Sequence, residues 1–217
     1  MSRYKCIIFD FDGTLADTNV GIVRTFQETF RQMGLPVPSR ERISSTIGLV
    51  LTDGFKAASD GLSDEDADKA AVVYRRIFPE IAYPVITAFP GVVETVAGLR
   101  GLGLRLAVAT SRSHHSLDAL AAQIGVKEYF EGLYGAEDVE HCKPAPDLAD
   151  LIIRNMGIAP EDALVVGDAT FDLLMGHAAG CDVCGVTWGN QSREALQSAA
   201  PEYIVDTLDE LLEIVRG

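Results

Sequence analysis

Asp10 and Asp12 stand two residues apart in Phe9-Asp10-Phe11-Asp12-Gly13-Thr14-Leu15, directly after the apolar run Cys6-Ile7-Ile8-Phe9. In open α/β sheets, ligands bind beyond the carboxyl ends of the strands, where the strand order reverses. Two acids at such an edge have a chemical use. One carboxylate can attack phosphorus and form an aspartyl-phosphate. The other can protonate the leaving oxygen and later deprotonate water. Gly13 lets the backbone turn closely, so that amide N–H groups can point at a phosphate. The same spacing also suits a pair of turn aspartates capping a helix.

A second acid ends another apolar run, Ala163-Leu164-Val165-Val166-Gly167-Asp168, and Asp172 follows four residues later. Asp10, Asp12 and Asp168 in one place would repel each other unless a cation sat among them. All-oxygen ligation favours Mg²⁺ over zinc, and Mg²⁺ keeps waters and bridges to phosphate, so two or three protein ligands suffice. Asp172 reads as an acid behind the ligands, or as a first-turn aspartate favoured by the helix dipole. A third run ends Thr110-Ser111-Arg112, whose hydroxyls could donate to phosphate oxygens or cap a helix. Lys143, held before Pro144, could neutralise both the attacking carboxylate and the phosphate; taken singly it reads as a surface lysine.

The elements that must deliver these residues follow from periodicity. Near-continuous apolar runs at 4–9, 105–110, 132–135, 163–167 and 182–187, with 203–205 at an edge, read as strands buried on both faces. Helical patterns at 92–100, 116–124, 146–156 and 172–179 lie between them, and that alternation means a doubly wound parallel sheet. Residues 18–88 break it. They carry helical segments at 21–33 and 64–78, with Ser63-x-x-Asp66 as a helix start, and no convincing strand. Some seventy residues cannot be a bare loop in a compact domain. They are expected to form a small helical domain, with Pro79, Pro84 and Pro90 marking the return to the core. The organisation read here is a core of 1–17 and 89–217, with an inserted cap domain at 18–88. Val72 and Val73 read as core of that bundle, not as an interface.

D-x-D-G-T, a strand-end Thr-Ser, Lys-Pro and G-D-x-x-x-D, in that order, resemble the haloacid dehalogenase superfamily, in particular its phosphoglycolate phosphatase-like branch with a helical cap after the first strand. The match runs from Ile7 to Gly189 and includes Ala179-Gly180 and Gly185-Val186-Thr187-Trp188-Gly189. The resemblance implies a Rossmann-like core and a Mg²⁺-dependent phosphatase acting on a small phosphorylated metabolite. It implies Asp10 as nucleophile and as a metal ligand through its side chain. Asp12 would be the acid/base and would ligate through its backbone carbonyl, with Asp168 as the other metal ligand. Gly13, Thr14, Thr110, Ser111 and Lys143 would lie around the phosphate, and the turn at Gly48 would face the site from the cap.

Within that superfamily, the second acid, Asp12, favours phosphoryl transfer over dehalogenation. Ile47 to Thr52 holds no lysine for a Schiff base, and Lys56 lies farther along. Ile43 to Leu51 holds no basic loop of the mutase kind, although Arg40 and Arg42 precede it. Hydrolysis is the best class, with phosphomutase or pyrophosphatase chemistry as the alternative. A non-catalytic phospho-acceptor module would lack the cap. Two departures stand out. Ser111-Arg112 replaces the usual Asn-Lys, so Arg112 either takes part in anion binding or is exposed. Gly176 stands where alanine is common, a change expected to cost little beyond helix propensity. His114-His115 reads as a solvated helix start, since adjacent helical residues point apart.

The formal net charge of −14 argues against nucleic acid and anionic membranes as partners. Residues 16–89 hold 8 Lys/Arg against 10 Asp/Glu, so the rest keeps 10 of the chain's 18 basic and 22 of its 32 acidic residues. The acidic excess therefore sits with the carboxylates, where a divalent cation and a few placed basic groups must reverse it. There is no apolar run of 18 residues and no signal-peptide core, so a cytoplasmic protein, monomeric or homodimeric, is expected. Of four cysteines, Cys181 and Cys184 are spaced C-x-x-C without a second pair, and read as plain thiols.

Overall fold

The computed structural model describes residues 3–216. Along the chain the strands and helices are β1 (Cys6–Phe9), β2 (Ala16–Asp17), α1 (Asn19–Gln32), α2 (Arg40–Ser44), α3 (Leu51–Ala58), α4 (Asp64–Ile81), β3 (Thr87–Ala88), α5 (Val92–Gly101), β4 (Arg105–Ala109) and α6 (His114–Gln123). They continue with β5 (Gly132–Tyr134), α7 (Asp147–Met156), β6 (Ala163–Gly167), α8 (Thr170–Ala178), β7 (Asp182–Val186), α9 (Arg193–Gln197), β8 (Tyr203–Val205) and α10 (Leu208–Arg216).

Six strands pair in parallel in the order β5-β4-β1-β6-β7-β8. The chain thus starts at the centre, fills one flank, and crosses back to fill the other. The period of two along each strand sorts side chains onto two faces. Ile7, Phe9, Leu106, Val108, Leu164 and Val166 join the core under α5, α6 and α10. Cys6, Ile8, Ala107, Ala109 and Val165 join the core under α7, α8 and α9. Both faces are covered, which explains the unbroken apolar runs. β8 takes an edge position, as the sequence suggested. Among the described residues, no helix is long and apolar enough to cross a membrane.

α1 to α4 fold on one another around an aromatic cluster. Phe26 stacks on Phe55 at 4.2 Å between ring centroids, and Tyr74 meets Phe26 edge-on at 5.2 Å. Ser63 caps α4 by accepting from the Asp66 amide at 3.1 Å, behind a first turn of Asp64, Glu65 and Asp66 that suits the helix dipole. α4 buries Ala67, Ala70, Ala71, Tyr74, Ile77 and Phe78 at three- and four-residue spacing. Val72 falls off that stripe and is 66% exposed, so it is not core. Pro79 lies inside α4, which runs on to Ile81 and is not ended by the proline.

The segment is not free of strand. β2 and β3 pair antiparallel, with Ala16 opposite Ala88 and Asp17 opposite Thr87, where the chain leaves for the helices and comes back. Gly176 also departs from expectation. A Cβ there would come within 2.9 Å of Val165 Cβ and would press on Val183 as well. Glycine is what lets α8 lie close against β6 and β7.

Candidate active site

Each acid singled out above lies past the end of a strand, because the strand itself must be apolar to be buried. Asp10 and Asp12 follow β1, Thr110 follows β4 and Asp168 follows β6, the three central neighbours in the sheet. Parallel pairing at matched register brings their carboxyl ends to one edge. Asp10, Asp12, Thr14, Thr110, Lys143, Asp168 and Asp172 are all buried.

Lys143 is fully buried, not on the surface. Its Nζ donates to Asp10 Oδ1 and to Asp172 Oδ1, both at 2.6 Å. Asp172 is the third residue of α8, and its Oδ2 accepts from the Ala169 amide at 3.1 Å, so capping fixes its direction. Asp168 Oδ2 accepts from the backbone amide of Asn190 at 2.6 Å and from its side-chain amide at 2.8 Å. The Thr14 hydroxyl donates to Asp168 Oδ1 at 3.3 Å, and Trp188 Nε1 donates to the Thr14 carbonyl at 3.0 Å. A Cβ at Gly13, whose φ is +87°, or at Gly189 would overlap the Asp168 carboxylate. The amide of Gly13 itself donates to the Ala16 carbonyl at 2.9 Å. Gly13 therefore supplies the close turn, while its own N–H faces inward.

The carboxylates brought together are Asp10, Asp168 and Asp172, with one oxygen of each within 4.8 Å of the others. Beside Asp10 and Asp168, the third carboxylate of this group is that of Asp172, and the carboxylate of Asp12 lies outside it. Asp12 turns its carboxylate away to Arg112, whose Nε and Nη2 donate to Oδ2 and Oδ1 at 2.6 and 2.7 Å. The reason is not local: the guanidinium that holds it belongs to a residue 100 positions along the chain, just past the end of β4. Arg112 is neither exposed nor free, for both its side chain and that of Asp12 are only 10% exposed.

Burial pushes the Asp10 carboxyl well above the usual range, and the charge of Asp172 adds to it, while Lys143 pulls the other way. Burial and then Asp172 push Asp168 up to about 7, against the pull of Asn190 and Lys143. For Lys143, burial alone would lower the pKa, but Asp10 and Asp172 outweigh it and raise it. Three carboxylates facing one ammonium leave a buried excess of negative charge. A buried all-oxygen donor set of that charge fits a divalent cation.

The remaining candidates fall at the boundary with the helices. The Ser111 hydroxyl donates to the Gly48 carbonyl at 2.6 Å, so Gly48, with φ of +104°, reaches the strand edge from the helical side. Lys56 pairs instead with Asp53 and Asp64 within the helices. Three residues not singled out from the sequence join the site. Asn190 holds Asp168, Asn19 donates to Asn190 Oδ1 at 2.8 Å, and Phe78 lies under Arg112. Asn190 had a signal, because it follows the glycine of Trp188-Gly189 past β7. Cys181 and Cys184 are free, buried, and have burial-raised thiols at about 12.

Across the chain, residues 7–186 match the family model described as haloacid dehalogenase-like hydrolase. The chain belongs to the haloacid dehalogenase-like hydrolase family. It is 40% identical over 209 residues to "Probable phosphatase IndB" of Dickeya dadantii, covering 95% of this chain and 91% of that protein. It is 31% identical over 214 residues to "Pyrophosphatase PpaX" of Bacillus pumilus, covering 99% and 97%. A crystal structure of a predicted phosphoglycolate phosphatase from Haemophilus somnus superposes with a TM-score of 0.89 at 25% identity, covering 99% of each chain. The protein is accordingly a haloacid dehalogenase-like phosphatase, a hydrolase of phosphoric esters.

Proposed function

We propose that the chain is a Mg²⁺-dependent phosphomonoesterase that works through a phosphorylated Asp10. The buried contact of Lys143 with Asp10 and Asp172 carries this reading. It fixes one oxygen of Asp10 and leaves Oδ2, which accepts no hydrogen bond among the described residues, as the attacking atom. Asp10 and Asp168 would hold the metal with the backbone carbonyl of Asp12, and Asp172 would orient Lys143. When bound, Mg²⁺ would draw charge from the phosphoryl oxygens.

The rest is the work of side chains. Lys143 and the Thr110 hydroxyl bind the phosphoryl group and set it in line with Asp10. Asp10 forms a bond to phosphorus as the bond to the leaving oxygen breaks, and protonated Asp12 gives that oxygen its proton. Water then attacks phosphorus, Asp12 takes the proton back, and inorganic phosphate leaves Asp10 unchanged. Helices α1–α4, with the surrounding residues 18–88, would act as the cap that excludes bulk water, through Gly48 on Ser111. A cytoplasmic setting and a small phosphorylated metabolite belong to the same reading. Esters such as phosphoglycolate and an anhydride such as pyrophosphate are both candidates, being named for relatives.

The test is phosphate release from a panel of phosphoesters, with and without Mg²⁺. Asp10→Asn is expected to remove turnover by roughly three orders of magnitude or more while the folded protein persists. An Asp10→Asn protein that still hydrolyses a generic aryl phosphate removes the assignment. An isomeric phosphate product without free phosphate would instead make the protein a mutase.

A further inference from the structure

Arg112 is a buried cation that the scheme above leaves without a task. Its guanidinium forks onto both oxygens of Asp12 at 2.6 and 2.7 Å, and Nη1 donates to Ser116 Oγ at 2.7 Å. It lies 5.0 Å from the ring centroid of Phe78, a residue of α4. Core and helices therefore both touch it. Among the described residues, its only carboxylate partner is Asp12.

That fork conflicts with turnover. The leaving oxygen must meet an oxygen of Asp12, yet both are covered by the guanidinium. Each arm competes with the leaving group for the same oxygen, so proton transfer is favoured once at least one arm lets go. Stripping a buried charge of its partner is strongly unfavourable, and the aromatic face of Phe78 with one hydroxyl cannot replace a carboxylate. An acceptor must therefore arrive as Asp12 departs. Guanidinium geometry suits a carboxylate or a phosphoryl group in two-point contact.

We propose that Arg112 is a specificity-determining residue: it selects phosphoryl donors whose leaving group carries a second anionic group, which takes over the fork and frees Asp12 for the leaving oxygen. The proposal rests on the phosphatase reading above. It places the second anion between the end of β4 and Phe78, at the seam of core and helices. A donor with a neutral leaving group leaves the fork closed on Asp12.

The experiment compares 2-phosphoglycolate with 2-hydroxyethyl phosphate, matched in size and differing in the carboxylate, with inorganic pyrophosphate as the phosphoryl arm. An aryl phosphate serves as the general reporter. With wild-type protein and Mg²⁺, kcat/KM is expected to favour at least one anionic substrate over 2-hydroxyethyl phosphate by ~100-fold. Whichever anionic arm wins identifies the second anion. Arg112→Met is expected to bring that ratio to within about threefold of one, by a fall in the anionic arm and a rise in the neutral arm, where no fork then holds Asp12. Arg112→Lys, which keeps the buried charge but not the fork, is expected to fall between, and serves if the Met variant does not fold. A wild-type ratio near one, or a ratio unchanged in the variant that folds, overturns the proposal while phosphate release from the aryl ester still upholds the phosphatase reading. No release from any substrate removes both.

Discussion

The strand edge and the helical segment hold together by opposite means. At the edge, charged groups are buried and each is fixed by a named partner: Lys143 by two aspartates, Asp168 by Asn190 and Thr14. In α1–α4 the centre is a cluster of rings, and the charges lie outside in exposed pairs such as Arg42–Asp60 and Lys69–Glu65. Exposed pairs add little stability, typically up to ~1 kcal/mol. Buried ones are unforgiving, because removing one partner strands the other. Groups that need fixed angles are therefore held where substitution is least tolerated, and the exposed charges of the helices lie where it is most tolerated.

The sharpest way to break this comparison is Lys143→Met. It strands Asp10 and Asp172, so a loss of about 3–5 kcal/mol is expected in the urea midpoint, along with activity. A stable, folded Met variant would show that the edge tolerates change as the helices do. Phe55→Ala is expected to cost a similar or slightly smaller amount, about 3–5 kcal/mol, by opening a hole among Phe26, Phe30 and Tyr74. Its loss should appear in stability far more than in kcat for an aryl phosphate; a collapse of kcat with the fold intact would mean the rings serve the chemistry directly.

Acidity sharpens the contrast further. Asp168 is raised to about 7, so its folded state binds a proton more tightly than an unfolded aspartate at about 3.9. Stabilisation from that proton is complete below about 4 and is lost as pH rises through about 7. Metal-free protein should thus lose thermal stability over that window, and Mg²⁺ should flatten the loss. A metal-free profile without such a fall would show that the edge carries no excess charge. Smaller effects should follow from Gly176→Ala, about 1–3 kcal/mol from overpacking against Val165 and Val183. Ser63→Ala should cost ~1 kcal/mol through the lost α4 cap. Thermal unfolding of the two variants tests whether close helix–sheet packing outweighs a helix cap.

The parts legible in the sequence are those written locally. The strands announce themselves by apolar runs, and those of β1 and β6 run directly into acids, so Asp10, Asp12 and Asp168 could be read directly. The burial of Lys143 could not, because its partners lie 133 and 29 residues away. Arg112 and Asp12 are separated by 100 residues, and nothing near either says that they meet. β2 and β3, at two residues each, are too short to show a period. Val72 and Val73 share a composition with the core stripe of α4, and only the phase of the helix puts Val72 outside. Gly176 looked replaceable because propensity is local, whereas the contact that forbids a methyl group belongs to β6 and β7.

The pairing of Ala16 with Ala88 sets the exit and re-entry of a long excursion side by side. An excursion whose ends already touch can be lengthened, trimmed or exchanged without shifting any strand of the sheet by a single residue. Changes of length and sequence in that one module can in this way accumulate while the order and register of the sheet stay as they are.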